Sequence, residues 1–244
     1  PSPMNVARRW GSWPSVCEVC RQWSDSRLCE ACRHVNHRRW RCHLCALPLA
    51  PNADPASGVA HASSVCGDCL EEPPPWDRVV CAVPYAFPWD QLIAGFKYHE
   101  QWDLATALAE VLARAVQQAH PHGPSLDGVI PMPMTPERLA KRGYNQAWEL
   151  ARRVAQRFKL PAQPCALMRT VTTAPQASLS RQARLSQLQG VFSLAPDERL
   201  ALRGRRLALV DDVMTTGASA RAAAQVLRQA GVASLEIWTL ARTD

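Results

Sequence analysis

Beyond residue 76 the chain alternates compact apolar runs with stripes of helical period. Val79 to Tyr85 has the length and composition of a strand. Leu104, Leu108, Val111, Leu112, Ala115 and Ala119 then recur at helical spacing, so they share one face. Val129 and Ile130 read as a short buried strand ended by Pro131 and Pro133. Ala147, Ala151, Val154, Ala155 and Phe158 make a second helical stripe, stopped by Pro161. Leu207 to Val210 and Leu235 to Leu240 are further strands. Between them Ala220, Ala223, Ala224, Leu227 and Ala230 form an inward helix face, with Gly231 as its stop. Strands alternating with helices predict an α/β fold with a mainly parallel sheet. Residues 161 to 200 break this rhythm. Thr170 to Ser180 is rich in Thr, Ser, Pro, Ala and Gln, which suits a mobile functional loop better than a core element.

The N-terminal segment follows neither period and has few aliphatic residues. The break comes at Glu71, Glu72, Pro73, Pro74 and Pro75, where consecutive prolines favour a stiff connector. Residues 1–72 are therefore expected to form a small cysteine-rich module and residues 73–244 the α/β domain. Over 244 residues the composition is 47% apolar and 20% charged, which argues against disorder. No run approaches the ~18 to 20 apolar residues of a membrane span. Pro1 to Val16 carries Arg8 and Arg9 with no apolar run behind them, so no export signal is expected there. The expected compartment is the reducing cytoplasm, without membrane insertion.

Ten cysteines in such a chain call for an explanation other than disulfides. Eight form four C-x-x-C pairs: Cys17/Cys20, Cys29/Cys32, Cys42/Cys45 and Cys66/Cys69. Each pair places two thiolates on one tight turn, spaced for two corners of a tetrahedral metal, so eight ligands predict two structural zinc sites. Pairing in sequence closes loops of 8 and 20 residues, nested pairing 9 and 45, crossed pairing 21 and 33. Closure entropy favours the sequential arrangement by roughly 0.8 kcal/mol over nested and roughly 1.3 over crossed, a lean that leaves all three open. His34, His37 and His43 lie nearby as substitute ligands, although eight thiolates already fill two sites. Trp10, Trp13, Trp23 and Trp40 are expected to pack this module, with base stacking as the alternative. The lone Cys81 and Cys165 read as small buried residues.

The chemically informative stretch begins at Leu207 to Val210 and continues as Asp211, Asp212, Val213, Met214, Thr215, Thr216, Gly217, Ala218 and Ser219. A buried strand ends in two carboxylates, and a hydroxyl- and glycine-containing turn then opens a helix. Such a turn offers backbone N–H groups at the positive end of a helix dipole, which suits a phosphate monoester. Gly217 permits close approach of the backbone, while Thr215, Thr216 and Ser219 add hydroxyls. Two carboxylates just upstream can accept hydrogen bonds from a vicinal diol. The spacing describes a cradle for ribose 5-phosphate. The other reading is an acidic pair that binds Mg²⁺ or caps a loop.

This stretch resembles the phosphoribosyl-pyrophosphate (PRPP) motif of type I phosphoribosyltransferases. Ile130 to Pro133, followed by Arg138 to Ala147, resembles the Pro-x-Pro and Arg-Gly-Tyr-Asn-Gln-Ala segments of the ComF/GntX family. Pro175 to Arg181, through Arg184 to Phe192, is similar to that family's mobile loop, and Phe96 to His99 to its Lys-Tyr-His segment. An N-terminal double zinc ribbon is a further shared mark. Gln187, Thr135 and Ser178 depart from the family pattern. The resemblance implies a type I phosphoribosyltransferase-like domain behind a zinc module, PRPP and Mg²⁺ as ligands, and a role in natural transformation or DNA utilization. By the same analogy Pro131 and Met132 face the pyrophosphate, Arg181 or Arg184 closes over it, and Lys97 and Arg142 add anion contacts. Thr215 stands where hypoxanthine-type transferases carry an acid, which argues against that substrate class. No nucleophile is identified.

Charge points to anions as well. From Arg138 to Arg206 there are 14 Lys/Arg against 3 Asp/Glu, whereas residues 1–76 carry 8 against 7. Arg152, Arg153, Arg157, Lys159, Arg203, Arg205 and Arg206 exceed what one small ligand can touch, so single-stranded DNA is a candidate partner. Two classes of function follow. One is a phosphoribosyl transferase. The other is a non-catalytic protein that holds PRPP and single-stranded DNA while its zinc ribbon recruits a competence or DNA-processing partner.

Overall fold

The computed structural model describes residues 15–33, 41–49, 65–98, 101–169, 190–196 and 198–244. They fall into two compact units, Pro1–Val35 and Asn36–Asp244. Packing thus adds a division, inside the cysteine-rich segment, that composition does not show.

In the first unit β1 (Ser15–Val16) pairs antiparallel with β2 (Trp23–Ser24), and α1 (Glu30–Arg33) follows. Cys17 and Leu28 are fully buried, so the interior is small and built around sulfur. Trp23 does not pack as expected; it is 78% exposed. Trp10, Trp13 and Trp40 lie outside the described residues.

The second unit begins with a cysteine turn and α2 (Gly67–Glu71) and continues into the α/β domain. Its sheet holds β3 (Arg78–Pro84), β4 (Gly128–Pro131), β7 (Arg206–Met214) and β8 (Ser234–Arg242), all parallel, in the order β3-β8-β7-β4. A parallel sheet needs both faces covered, and its central strands accordingly read as unbroken apolar runs. Between β3 and β4 lie α3 (Trp89–Tyr98) and α4 (Leu104–Ala119); between β4 and β7 lie α5 (Pro136–Arg142) and α6 (Gln146–Phe158). The α8 helix (Ala218–Gln229) joins β7 to β8, and Gly231 stops it in the left-handed region at φ +86°.

Within residues 161–200, β5 (Leu167–Arg169) and β6 (Phe192–Leu194) pair antiparallel and α7 (Glu198–Leu202) follows; the loop expected over Thr170 to Ser180 lies outside the described residues. Apolar Leu167 and Phe192 anchor this hairpin in the core, while residues 170–189 between them lie outside the described residues. Cys165, expected to be buried, is exposed, and Cys81 is half-buried with its thiol donating to the Val83 carbonyl at 3.2 Å. Among the described residues no helix is long and apolar enough to cross a membrane.

Candidate functional site

Ladder pairing carries β7 further than its apolar run suggests. Asp211 faces Thr239, Val213 faces Ala241 and Met214 faces Arg242 on β8, so the two acids sit within the strand. The strand extends because β8 itself runs on to Arg242. The Asp212 amide donates to Asp211 Oδ1 at 2.9 Å, and Asp212 Oδ1 lies 3.0 Å from Lys97 Nζ. Lys97 comes from the last turn of α3. The side chain of Asp212 is buried, so this ion pair is shielded from water. Part of Asp211's surface stays exposed, yet its carboxyl lies deep among protein atoms. Removal from water, aided by the Asp212 charge, pushes it up to about 8, against the pull of Lys97.

Past Met214 the chain turns through exposed Thr215 and Thr216 to Gly217, which caps α8 with φ +77°. Thr216 Oγ1 accepts from the Ala218 amide at 3.3 Å. A Cβ at Gly217 would lie 2.9 Å from Met214 Cε, the movable end of a flexible side chain, so it is the left-handed backbone that selects glycine there. Ala218 and Ser219 occupy the first turn of α8. Two carboxylates, two hydroxyls and an open helix N-terminus therefore follow one another along a single strand-to-helix turn.

The same end of the sheet receives β4. Pro131 pairs with Val210, and the Met132 amide donates to the Val210 carbonyl at 2.7 Å. Pro131 and Met132 are buried, so what they can show a ligand is backbone. The following turn is set by Asn145, a residue the sequence reading did not single out. Its Nδ2 donates to the Met132 carbonyl at 3.1 Å, while its Oδ1 accepts from the Ala147 and Trp148 amides at 2.9 and 3.3 Å. It caps α6 and ties that helix to the turn.

Lys97, Tyr98, Arg138, Lys141, Arg142 and Tyr144 line a cleft of about 350 Å³. The Arg142 guanidinium stands 4.8 Å from the Tyr98 ring centroid, and Nη1 donates to Gln146 Oε1 at 3.0 Å. The Tyr144 hydroxyl donates to the Phe96 carbonyl. Lys97 and Arg142, expected as anion contacts, are thus brought together, and Lys97 connects the cleft to the diacid. Arg169, at the end of β5, was not anticipated. Burial lowers its pKa and the Asp211 charge opposes that, so it is within electrostatic reach of the acid. Its Nε is buried without a hydrogen-bond partner among the described residues. Arg181 and Arg184 lie outside the described residues. Of the outer cations, Arg152 and Arg153 both pair with Glu149, and Arg206 pairs with Asp127 at 3.2 Å.

The cysteines converge as two groups, Cys17, Cys20, Cys29 and Cys32, and Cys42, Cys45, Cys66 and Cys69. This is the sequential pairing, and within each group all sulfurs lie within 4.8 Å of one another. The Cys20–Cys29 and Cys45–Cys66 sulfurs are each 3.6 Å apart. Tetrahedral zinc with bonds of about 2.3 Å asks for about 3.8 Å, so the donors fit. Burial opposes ionisation of Cys17 and Cys42, but backbone N–H groups overcome it and bring these thiols to about 6 and about 7. Burial pushes Cys45 up to about 11 and raises Cys32 and Cys69 further, with neighbouring sulfurs adding to it. In each group the leading thiol is thus favoured as thiolate while the last is disfavoured. Both groups could hold a metal ion.

The DNA utilization protein YhgH of Salmonella typhi is 32% identical over 236 residues, covering 94% of this chain and 98% of the relative. Its counterpart in Escherichia coli K12 is 32% identical over 239 residues. Competence protein F of Haemophilus influenzae is 36% identical over 188 residues, 76% of this chain and 82% of the relative. The chain belongs to the ComF/GntX family. No protein-family model matches it. In this chain a mainly parallel α/β domain follows cysteine clusters able to bind metal. Solved structures align more loosely. A Bacillus subtilis glutamine PRPP amidotransferase gives a TM-score of 0.40 at 17% identity, over 60% of this chain and 30% of that longer one. An adenine phosphoribosyltransferase gives 0.37 at 14% identity, over 58% of this chain and 82% of the other.

Proposed function

We propose that this chain binds PRPP with Mg²⁺ and transfers its phosphoribosyl group to an acceptor, in the service of DNA utilization. The observation that carries the reading is the continuous segment from Asp211, within β7, through the turn to Ser219 on α8. Asp211 and Asp212 accept from the ribose hydroxyls. Thr215, Thr216, Ser219 and the first amides of α8 surround the 5-phosphate, which the helix dipole favours. Gly217 lets the backbone come close. The turn at Pro131 and Met132, fixed by Asn145, presents backbone to the pyrophosphate, and Lys97, Arg142, Arg181 and Arg184 supply positive charge around it. Mg²⁺ bound with PRPP beside Asp211 and Asp212 would neutralise charge on the leaving group. In transfer the C1–O bond to pyrophosphate breaks with its electron pair on the leaving oxygen. C1 then bonds to the acceptor, whose proton passes to water. The cysteine groups carry structural zinc, and the kinship with competence and DNA utilization proteins supports a cytoplasmic role beside incoming DNA.

A second reading has its own observation. Arg152, Arg153 and Arg206 are engaged in ion pairs, but exposed Arg157, Lys159, Arg203 and Arg205, and the cations of the cleft beside a 65% exposed Tyr98, can still meet an outside anion. Cations interleaved with tyrosines suit a single-stranded nucleic acid, phosphate on the cations and base on the ring. In that case the chain holds PRPP and DNA and breaks no bond.

Calorimetry with PRPP and Mg²⁺ on zinc-replete protein tests the first reading. Binding is expected for the native chain, with a loss of at least about tenfold in Asp211→Asn/Asp212→Asn, since a hydrogen bond to the charged Asp212 alone contributes about 1.5–3 kcal/mol. No heat from the native chain rejects it. Pyrophosphate release across free bases and DNA ends then separates the transferase from the binder.

A further inference from the structure

The second cysteine turn is hydrogen-bonded to the strand-to-helix turn through Arg242 and packed against it through Trp76. Trp76 Nε1 donates to the Leu44 carbonyl at 2.6 Å, between two of the cysteines. Arg242 Nε donates to the carbonyl of Cys45 itself at 2.9 Å. From the other side of its guanidinium, Arg242 Nη1 donates to the Met214 carbonyl at 3.2 Å and to the Thr215 carbonyl. Arg242 is only 5% exposed, so these carbonyls have little water to turn to if it is lost. Trp76, also 5% exposed, has its ring 3.9 Å from where a Gly217 Cβ would stand. The Arg221 guanidinium, on the first turn of α8, lies 5.9 Å from that ring and pairs with Glu72 at 3.5 Å, three residues past Cys69. The Arg242 link, from the end of β8, reaches backbone of Met214 and Thr215, while Trp76 and Arg221 connect the cysteine-rich segment to Gly217 and the first turn of α8 by packing and side-chain contacts.

We propose that metal in the Cys42, Cys45, Cys66 and Cys69 group sets the conformation of the 214–217 turn, with Arg242 and Trp76 as the positioning residues. Four sulfurs around one ion fix where the Leu44 and Cys45 carbonyls point. Arg242 reads that position because a guanidinium holds donors in a rigid fork, so moving one accepted carbonyl moves the others. Lysine keeps the charge but not the fork. The relevance to phosphate binding rests on the function proposed above; the mechanical link does not.

The test is hydrogen exchange on the full, zinc-loaded chain, comparing amides 215–219 with Leu209 and Ile237 as core references. Arg242→Lys is expected to speed exchange at 215–219 about tenfold or more while zinc content stays unchanged and the references do not move. Trp76→Phe, which keeps a ring but loses the donor, is expected to do the same to a smaller degree. Cys69→Ser is expected to reproduce the Arg242→Lys pattern, and Cys32→Ser, in the other group, to leave it alone. Unchanged exchange in both Arg242→Lys and Trp76→Phe overturns the proposal. So does a rise at 215–219 matched by the references, or one that Cys32→Ser produces equally. Ribose 5-phosphate is added as a separate probe and is expected to bind about tenfold more weakly to Arg242→Lys. If it binds not even the native chain, the proposed function fails while the exchange data still decide the link.

Discussion

At Cys17 and at Cys42 the backbone makes the same turn. The first cysteine amide donates to a carbonyl five residues on, Gln22 or Leu47, at 2.8 and 2.9 Å. The residue after the second cysteine donates back to the first, Arg21 to Cys17 at 2.9 Å and Ala46 to Cys42 at 2.8 Å. It does so with a left-handed φ of 61° or 59°. In each case an amide from the next pair, Cys29 or Cys66, donates to the leading sulfur at 3.3 Å. The surroundings differ. Arg21 is exposed, and so is Trp23 two residues later. Ala46 is 2% exposed and packs in one core with Trp76, Val79 and Met214. The geometry of a cysteine turn is local; whether it serves only itself is decided by what its carbonyls and flanking side chains touch.

The strongest way to break this contrast is to remove each metal site in turn. Cys42→Ala/Cys45→Ala is expected to cost the second unit upwards of about 4 kcal/mol, the range in which loss of a metal falls. At about 2–4 °C per kcal/mol for a unit of this size, its main calorimetric transition drops by about 10 °C. Cys17→Ala/Cys20→Ala is expected to leave that transition within about 2 °C. Equal drops would mean that the two turns are equivalent after all.

How far the sequence foretells this contrast depends on range. The parallel sheet, the helix stripes and the four C-x-x-C pairs are legible because period and spacing are local properties, whereas which pairs combine is left open by loop length and is set by the fold. Asp211, Asp212 and Gly217 are legible for the same reason. The caps of α5 were there to be read: Thr135 accepts from the Arg138 amide, Pro136 begins the helix and Gly143 ends it at φ +76°. What no local pattern reveals is Lys97 reaching Asp212, or Arg242 reaching Cys45 across 197 residues. An arginine near the C-terminus looks like any solvated cation until the fold wraps carbonyls around it. Glu149 and Asp127 show the reverse case, quenching cations that charge counting had offered to DNA.

A second prediction sharpens the contrast through pH. Asp211 sits in the second unit with its folded pKa near 8, well above its ordinary value of 3.8. The folded state holds that proton more tightly than the unfolded chain, so this group's contribution is full below about 4 and is lost as pH rises through about 8. Asp211→Asn removes the titration. Its melting temperature is expected to exceed the native value at pH 8.5, with the gap shrinking steadily towards pH 5, as measured by calorimetry in ligand-free, zinc-loaded protein. A strained acid kept at the cost of stability is what a binding site does. The gap should belong to the second unit's transition. If it is the same at both pH values, Asp211 is not held protonated.

The smallest expected effect is also the most specific to the paired turns. Arg21 and Ala46 both hold a left-handed backbone, which costs an L-residue roughly 1–2 kcal/mol. Arg21→Gly recovers much of this at an exposed position, less the extra freedom glycine has when unfolded. The first unit should gain up to about 1 kcal/mol and release zinc to a chelator more slowly. Ala46→Gly gains the same backbone relief but gives up a buried methyl worth about 0.8 kcal/mol, in the core that backs Trp76. Its net effect should be close to zero. Were Ala46→Gly to stabilise as much as Arg21→Gly, the packing around the second turn would be incidental, and with it the argument that this turn is part of the wall behind residues 214–217.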